Sequence, residues 1–378
     1  MKLKKISLVN WKNFQSVSAE IQDRLFIVGA NASGKSNFLD AIRFMRDIVK
    51  HGGGLQYAVS SRGGLSKIRC LSAREDPNVQ IYMVFEDDEN TQWGYSLSIG
   101  QEQRGKRNAI IKQECIKRDG VEILSRPNKN DTEDEDMLTQ THLEQITTNK
   151  EFRDIIRFLE PIKYTHLVPQ LLKFPDAFSG PDLPEDPFGK GFLKTIAKTP
   201  LKTRDSRLQK IQGILQTAVP QLNNLTYVED IGQPHLEVTY KHWRPHGAKQ
   251  SENQLSDGTL RLIGLLWSLL DGQGLLLLEE PELSLHTAIV EKLPEMLYSI
   301  TRAKKRQIIM TTHSSELLSD KSISLSQILL LKTGAEGTTA YLASEREEIK
   351  AMLASGMTPA EMVIPFTQPD EKQRLLFE

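Results

Sequence analysis

Hydrophobic and polar residues follow three rhythms along this chain, and each rhythm predicts a kind of element. Period-two alternation marks residues 6–9 and 17–21, with a turn at Lys12-Asn13-Phe14 between them, and then 79–85, 93–99, 109–116 and 121–124. These runs predict antiparallel strands, with Asp87-Asp88-Glu89-Asn90 as one hairpin link. Short unbroken apolar runs at 25–28, 275–278 and 308–310 predict strands buried on both faces. Helical spacing joins Phe38, Ala41, Ile42, Met45 and Val49, and again Leu208, Ile211, Leu215 and Val219 before Pro220. Residues 152–159 also read as helix, 162–168 as a strand ending at Pro169-Gln170, and 236–240 as a further strand. The stretch 174–192, rich in Pro, Gly and Asp, reads as a long loop or domain crossing. The acidic run from Asp131 to Asp136 reads as a solvated loop.

Between the apolar run at 25–28 and the helix beginning near Lys35 lies Gly29-Ala30-Asn31-Ala32-Ser33-Gly34-Lys35-Ser36-Asn37. It fits G-x-x-x-x-G-K-[ST] in the strand–turn–helix context that the pattern requires. Such a turn aims successive backbone N–H groups and a helix N-terminus at a phosphate chain. Gly29, Asn31, Ala32, Ser33, Gly34 and Asn37 therefore belong to a predicted nucleotide-binding loop. Lys35 is placed to reach the β- and γ-phosphates, and the Ser36 hydroxyl to hold magnesium.

Composition narrows the class. Hydrophobic residues at 39 % and charged residues at 26 % suffice for a folded α/β unit, and a net charge of −1 does not advertise a nucleic-acid partner. Charge distribution can still build a local basic groove. Arg104, Lys106, Arg107, Arg302, Lys304, Lys305 and Arg306 read equally as phosphate contacts or as solvated faces. Two cysteines, Cys70 and Cys115, make neither a disulfide framework nor a metal motif. No apolar run is long enough to span a membrane, and a cytoplasmic location is expected.

The run at 275–278 ends in Glu279-Glu280-Pro281. Adjacent like charges at the end of a buried strand are costly for folding, whereas a magnesium triphosphate uses both. Glu279 is assigned to the metal side, and Glu280 to the general base that polarises the attacking water. The run ending Thr311-Thr312-His313 repeats the device, with His313 as a candidate sensor of the γ-phosphate or water. Upstream, Ser256 is a good N-cap for an apolar helix running to about Leu270, and Gly258 permits a close approach to its N-terminus.

A phosphate loop, an L-S-x-G-x helix start, an L-L-L-L-E-E-P strand and a T-T-H strand, in that order, resemble an ATP-binding-cassette (ABC) ATPase. Asn10-Trp11-Lys12-Asn13-Phe14 is similar to the N-[FW]-[KR]-x-[FL] opening of the SMC, RecF and OLD-type branch. Glu279-Glu280-Pro281-Glu282-Leu283-Ser284-Leu285-His286 resembles the E-E-P-E-x-x-L-H run of OLD-like ATPases. Glu279 stands where most ABC proteins carry Asp, and His286 where many have the Asp of a dimer-contacting loop.

The resemblance implies an α/β ABC-ATPase head: a mixed central sheet around the phosphate loop, an antiparallel β subdomain and a helical lobe insertion. On this reading 1–378 is one ATPase domain. It holds a P-loop lobe (1–169), a mostly helical insertion (170–253), a core carrying signature, Walker B and His-switch (254–330), and a C-terminal segment (331–378). The resemblance also implies nucleotide contact by Lys12, a magnesium-side Gln at Gln170, and a homodimer that sandwiches ATP against Ser256, Asp257 and Gly258 of the partner. About 65 residues follow His313, too few for a fused nuclease, so an effector or nuclease on a separate chain is expected. The implied activity is ATP hydrolysis with Mg2+, acting on or sensing double-stranded DNA in anti-phage defence or repair. The alternative is a nucleotide-gated scaffold that holds an effector inactive.

Overall fold

The computed structural model describes residues 1–73, 76–102, 107–178, 185–241 and 248–367. The chain opens with β1 (Lys2–Trp11), β2 (Phe14–Glu20) and β3 (Arg24–Gly29), and β3 feeds the P-loop helix Lys35–Val49. Next come β4 (Val79–Glu86), β5 (Gln92–Gln101), β6 (Ala109–Arg118), β7 (Val121–Arg126) and the short β8 (Lys163–Thr165). The helical lobe carries the helix Leu201–Ala218 and then β9 (Leu222–Asp230), β10 (Gln233–Tyr240) and β11 (Ala248–Ser251). The signature helix Asp257–Leu270 leads to β12 (Leu276–Glu279), β13 (Ile308–Thr312), β14 (Ile328–Gly334) and β15 (Gly337–Leu342).

One six-stranded sheet has the order β15-β14-β3-β13-β12-β8, all parallel except β15, and a second, antiparallel sheet has the order β2-β1-β4-β5-β6-β7. Alternation along the central strands splits the apolar residues between two cores. Leu25, Ile27, Leu277, Ile309 and Leu329 face the P-loop helix and the antiparallel sheet. Phe26, Val28, Leu276, Leu278, Met310 and Leu330 face the signature helix and the lobe. Gln307 joins the sheets: Leu3 N donates to its Oε1 at 3.0 Å, and its Nε2 donates to the carbonyls of Leu3 and Gln22 at 2.7 and 2.9 Å.

Three expectations need correction. The acidic run is solvated from Thr132 to Asp136 as expected, but it is not a loop: residues Lys129–Glu133 form a helix, and the run's first acid, Asp131, is buried against Arg126 of β7. That arginine is wholly buried and donates to Asp131, to Glu114 at 3.0 Å, and to the carbonyls of Met137 and Gln140. A buried guanidinium needs all its donors paired, so it recruits the nearest acid of the run. The insertion does carry helices, but it also holds the three-stranded antiparallel sheet β11-β10-β9. Its polar residues face outward while Leu222, Leu225, Leu236 and Val238 pack inward, and only β10 had a readable pattern. The boundary at 330 falls inside β14, so the last segment is continuous with the central sheet. Its hairpin packs back on the chain's opening turn: Thr338 N donates to the Asn13 carbonyl at 2.7 Å. Among the described residues no helix is long and apolar enough to cross a membrane.

Breaking a buried ion pair by removing one partner typically costs 3–5 kcal/mol. Arg126→Met is therefore expected to lower stability by roughly that amount, because it strands Glu114 and Asp131. Urea denaturation measures it, and a loss below about 1 kcal/mol would show that the network contributes little.

Candidate functional site

Parallel register brings the reactive ends together. Val28 lies opposite Thr312, and Thr311 opposite Glu279, so the ends of β3, β13 and β12 share one edge of the sheet. That carboxyl edge is where open α/β sheets place ligands. The P-loop turns there through Ala32 at φ 62° and Gly34 at φ 97°. A Cβ on Gly34 would sit 2.1 Å from the Asn13 side chain, so this glycine is fixed by backbone and by space. Asn31, Ala32 and Ser36 face solvent, while Ser33 and Lys35 are buried.

Asn13 braces the loop. Its Nδ2 donates to the Ser33 carbonyl at 2.9 Å and to Thr338 Oγ1 at 2.7 Å, and its Oδ1 accepts from Asn37 Nδ2 at 2.7 Å. Trp11 Nε1 adds a bond to the Asn37 carbonyl at 2.8 Å. Asn13 fell on the unspecified position of the opening motif, and nothing in its type alone marked it. Lys12 pairs with Asp40 of the P-loop helix at 2.6 Å, beside Ser36 and Asn37 on the wall of a cleft of about 410 Å³. Burial alone would raise the Asp40 carboxyl, but Arg62 and Lys12 hold it below its ordinary value.

Lys35 donates from Nζ to the carbonyls of Gly29 and Ala30 at 3.2 and 3.1 Å, inside its own loop. Burial lowers its pKa, against the pull of Glu280, Glu279 and Glu282. Ser36 Oγ donates to Glu279 Oε1 at 2.5 Å. A hydroxyl and a carboxylate this close are hard-oxygen donors of the kind that would hold a magnesium ion. The other Glu279 oxygen accepts from the hydroxyl of Tyr164 on β8, a residue the sequence reading did not single out. Burial, and then the neighbouring carboxylate, raise the Tyr164 phenol and keep it protonated.

Glu280 leaves the strand at φ 42°, a left-handed backbone that costs a non-glycine residue about 1–3 kcal/mol. Its N–H donates to Thr311 Oγ1 at 3.1 Å and its carbonyl accepts from Arg261 of the signature helix at 3.0 Å. The carboxylate reaches His313 Nε2 at 3.0 Å. Burial, then Lys35, push the His313 pKa below its ordinary value, which favours a neutral ring beside Glu280. Glu282 is nearly buried and accepts from Thr312 Oγ1 at 2.6 Å and from His313 N at 3.1 Å. It orients the histidine backbone, and burial raises its own pKa. The acid was visible in the E-E-P-E run, but its role was not.

Ser256 caps its helix by accepting from Thr259 N at 3.1 Å and is otherwise exposed. Asp257 accepts from Lys173 Nζ at 2.5 Å and from Gln170 Nε2 at 3.2 Å. Gly258 does admit a close neighbour, and it is the chain's own Ser284 carbonyl, 2.5 Å from where a Cβ would stand. Gln170 needs correction: it sits in the helix Pro169–Lys173, not at a strand end, and bonds Asp257. Proline starts that helix because its fixed φ suits the first turn. Among the described hydrogen bonds none joins Gln170 to Ser36 or Glu279, and Tyr164 holds that carboxylate instead. His286 caps the helix Thr287–Val290, with Nδ1 accepting from Ala288 N at 3.2 Å.

The basic positions divide. Arg306 is buried on the carbonyls of Ser268, Leu269, Asp271 and Gly274, which takes up its guanidinium, and the half-buried Lys304 donates to the Leu270 carbonyl. Arg302 lies over the Tyr298 ring at 5.8 Å. Arg104 and Lys106 lie outside the described residues.

Residues 25–319 match a family model described as "AAA domain, putative AbiEii toxin, Type IV TA system", and residues 3–45 match one described as "P-loop containing region of AAA domain". A search of curated proteins finds no match. Among solved structures, an SMC head bound to the C-winged helix domain of ScpA aligns at TM-score 0.52 and 15% identity, covering 90% of this chain and 98% of that one. An SMC head with an extended coiled coil bound to the C-terminal domain of ScpA, from Pyrococcus furiosus, aligns at TM-score 0.50 and 12% identity, covering 94% and 98%. At these identities the likeness concerns the fold, an ABC-type ATPase head.

Asn13→Ala removes a partner from the Ser33 carbonyl and from Asn37. It is expected to cost about 1–3 kcal/mol and to weaken nucleotide binding. Urea denaturation with fluorescent-ATP titration checks both; unchanged binding would mean that the loop holds its shape without the brace.

Proposed function

Because this chain belongs to the AAA-domain family described as putative AbiEii toxin of a Type IV TA system, and is a P-loop ATPase head in fold, we propose that it binds and hydrolyses ATP and that ATP joins two copies of it. The observation that carries the reading is the meeting of Ser36 with Glu279 at 2.5 Å, one residue before the Glu280–His313 pair at 3.0 Å. Metal-side oxygens and a base–histidine pair then sit on consecutive residues beside the phosphate loop.

Each group has a task in that chemistry. Lys35 exchanges the Gly29 and Ala30 carbonyls for phosphate oxygens, and the loop N–H groups and helix N-terminus take the rest of the phosphate charge. Ser36 and Glu279 would hold a magnesium ion, which would supply positive charge to offset that of the phosphates. Glu280 accepts a proton from the attacking water, with His313 beside it fixing the carboxylate and sensing the γ-phosphate. Lys12 lies at the rim of this site and serves the nucleotide as a secondary contact.

One head offers a Ser256 N-terminus whose hydroxyl, among the described hydrogen bonds, meets only its own helix, a fit for the γ-phosphate carried by a second copy. Ser256, Asp257 and Gly258 of one subunit would then face Lys35 of the other, twice, around a two-fold axis. The family description, which names a putative toxin of a toxin–antitoxin system, supports a role in defence; an effector or nuclease on a separate chain is a further part of this proposal that the description does not address. A double-stranded DNA partner would engage basic positions other than Arg306, whose guanidinium the fold uses itself.

Lys35→Ala is expected to abolish ATP binding. Glu280→Gln is expected to bind ATP normally and to hydrolyse it roughly 10²–10⁴-fold more slowly, the usual worth of a general base. Single-turnover assays with labelled ATP measure both, and turnover near wild type in Glu280→Gln would remove Glu280 from the base role.

A further inference from the structure

Glu279 is gripped by hydroxyls on both sides. Ser36 donates to Oε1 at 2.5 Å, and Tyr164 donates to Oε2. Tyr164 is unusually well fixed for a group in a binding cleft. Its backbone lies in β8, parallel to β12, with Tyr164 in register with Leu277. Its ring is buried, and the guanidinium of Arg43 from the P-loop helix lies 4.0 Å from the ring centroid. Strand register thus sets the position of the phenol, and a cation over the ring sets its plane.

We propose that Tyr164 is the positioning residue for the metal-side carboxylate: it keeps Oε2 in place, so that Oε1, beside the Ser36 hydroxyl, would be the oxygen available to hold a magnesium ion. The proposal rests on the ATPase reading above. Ser36 cannot supply this restraint, because its own oxygen is wanted by the metal. Glutamate has one more rotatable bond than aspartate, so a metal-side Glu needs a second anchor to hold one oxygen at a fixed place. Groups that orient a metal ligand through its free atom typically contribute 10–100-fold in metal affinity. The same segment reaches further. Five residues after β8 ends, Gln170 lies in the helix whose Lys173 holds Asp257 at 2.5 Å, so the strand that seats the metal carboxylate also leads to the signature start.

The test uses the full chain, Mn2+ as a paramagnetic probe in place of magnesium, and a non-hydrolysable ATP analogue. Tyr164→Phe removes the hydroxyl and leaves the ring against Arg43. Its affinity for nucleotide in EDTA is expected to match wild type, while electron paramagnetic resonance titration shows manganese binding about 10–100-fold weaker. In a Glu279→Asp background the shortened carboxylate no longer reaches the phenol, so adding Tyr164→Phe is expected to cost nothing more. Equal manganese affinity in wild type and Tyr164→Phe, or full additivity of the two substitutions, would overturn the positioning role. Failure of the wild type itself to bind manganese with nucleotide would overturn the ATPase reading instead.

Discussion

The parallel register of β3, β13 and β12 is the constraint on which the site depends. Each strand is apolar on both faces because each is covered on both faces, by the P-loop helix on one side and the signature helix on the other. Burial on two faces fixes register strongly, since a one-residue slip would exchange the two cores. With Val28 opposite Thr312 and Glu279 opposite Thr311, the polar residues that follow each strand can only meet at one edge. Lys35, Glu279, Glu280 and His313 are thereby assembled by packing, and their mutual electrostatics follow. Burial lowers Lys35 and His313 and raises Glu282, and nearby carboxylates offset part of the effect on the two bases.

This explains which parts of the molecule were legible in the sequence. Apolar runs ending in Gly29, Glu279 and Thr312 carried both the strand and the reactive end, so one pattern gave fold and chemistry together. The antiparallel strands were equally plain, because half of each faces a core. What stayed hidden was held by single long-range contacts. Tyr164 reads as one more apolar residue of β8, and only the β8–β12 pairing shows its hydroxyl on Glu279. Asp131 reads as one acid in a run of acids, and only the buried Arg126 selects it. The apolar pattern of 162–168 placed Gln170 at a strand end, but Pro169 starts a helix there and the side chain bonds Asp257.

The lobe shares an apolar core with the central strands, and polar links at the edge of that core join it to the nucleotide side. Arg261 of the signature helix holds the Glu280 carbonyl at 3.0 Å, and Ser284 after the acids lies against Gly258. Lys173 and Gln170 hold Asp257 from the other side. The Glu280 backbone and the start of the signature helix therefore touch within one head, through Arg261 and Ser284. A head arranged in this way can report its nucleotide state at the surface where a second head would dock.

That a second copy completes the ATP site is the central claim, and mass in solution tests it most directly. Light scattering on Glu280→Gln, with and without magnesium and ATP, separates the outcomes. The account predicts a mass that doubles from that of the 42.8 kDa chain only when both are present, and that stays monomeric when Ser256→Arg is added to block the partner's phosphate. A mass indifferent to ATP, in a protein that still binds the nucleotide, would contradict the sandwich and leave a head that acts alone or on a bound partner.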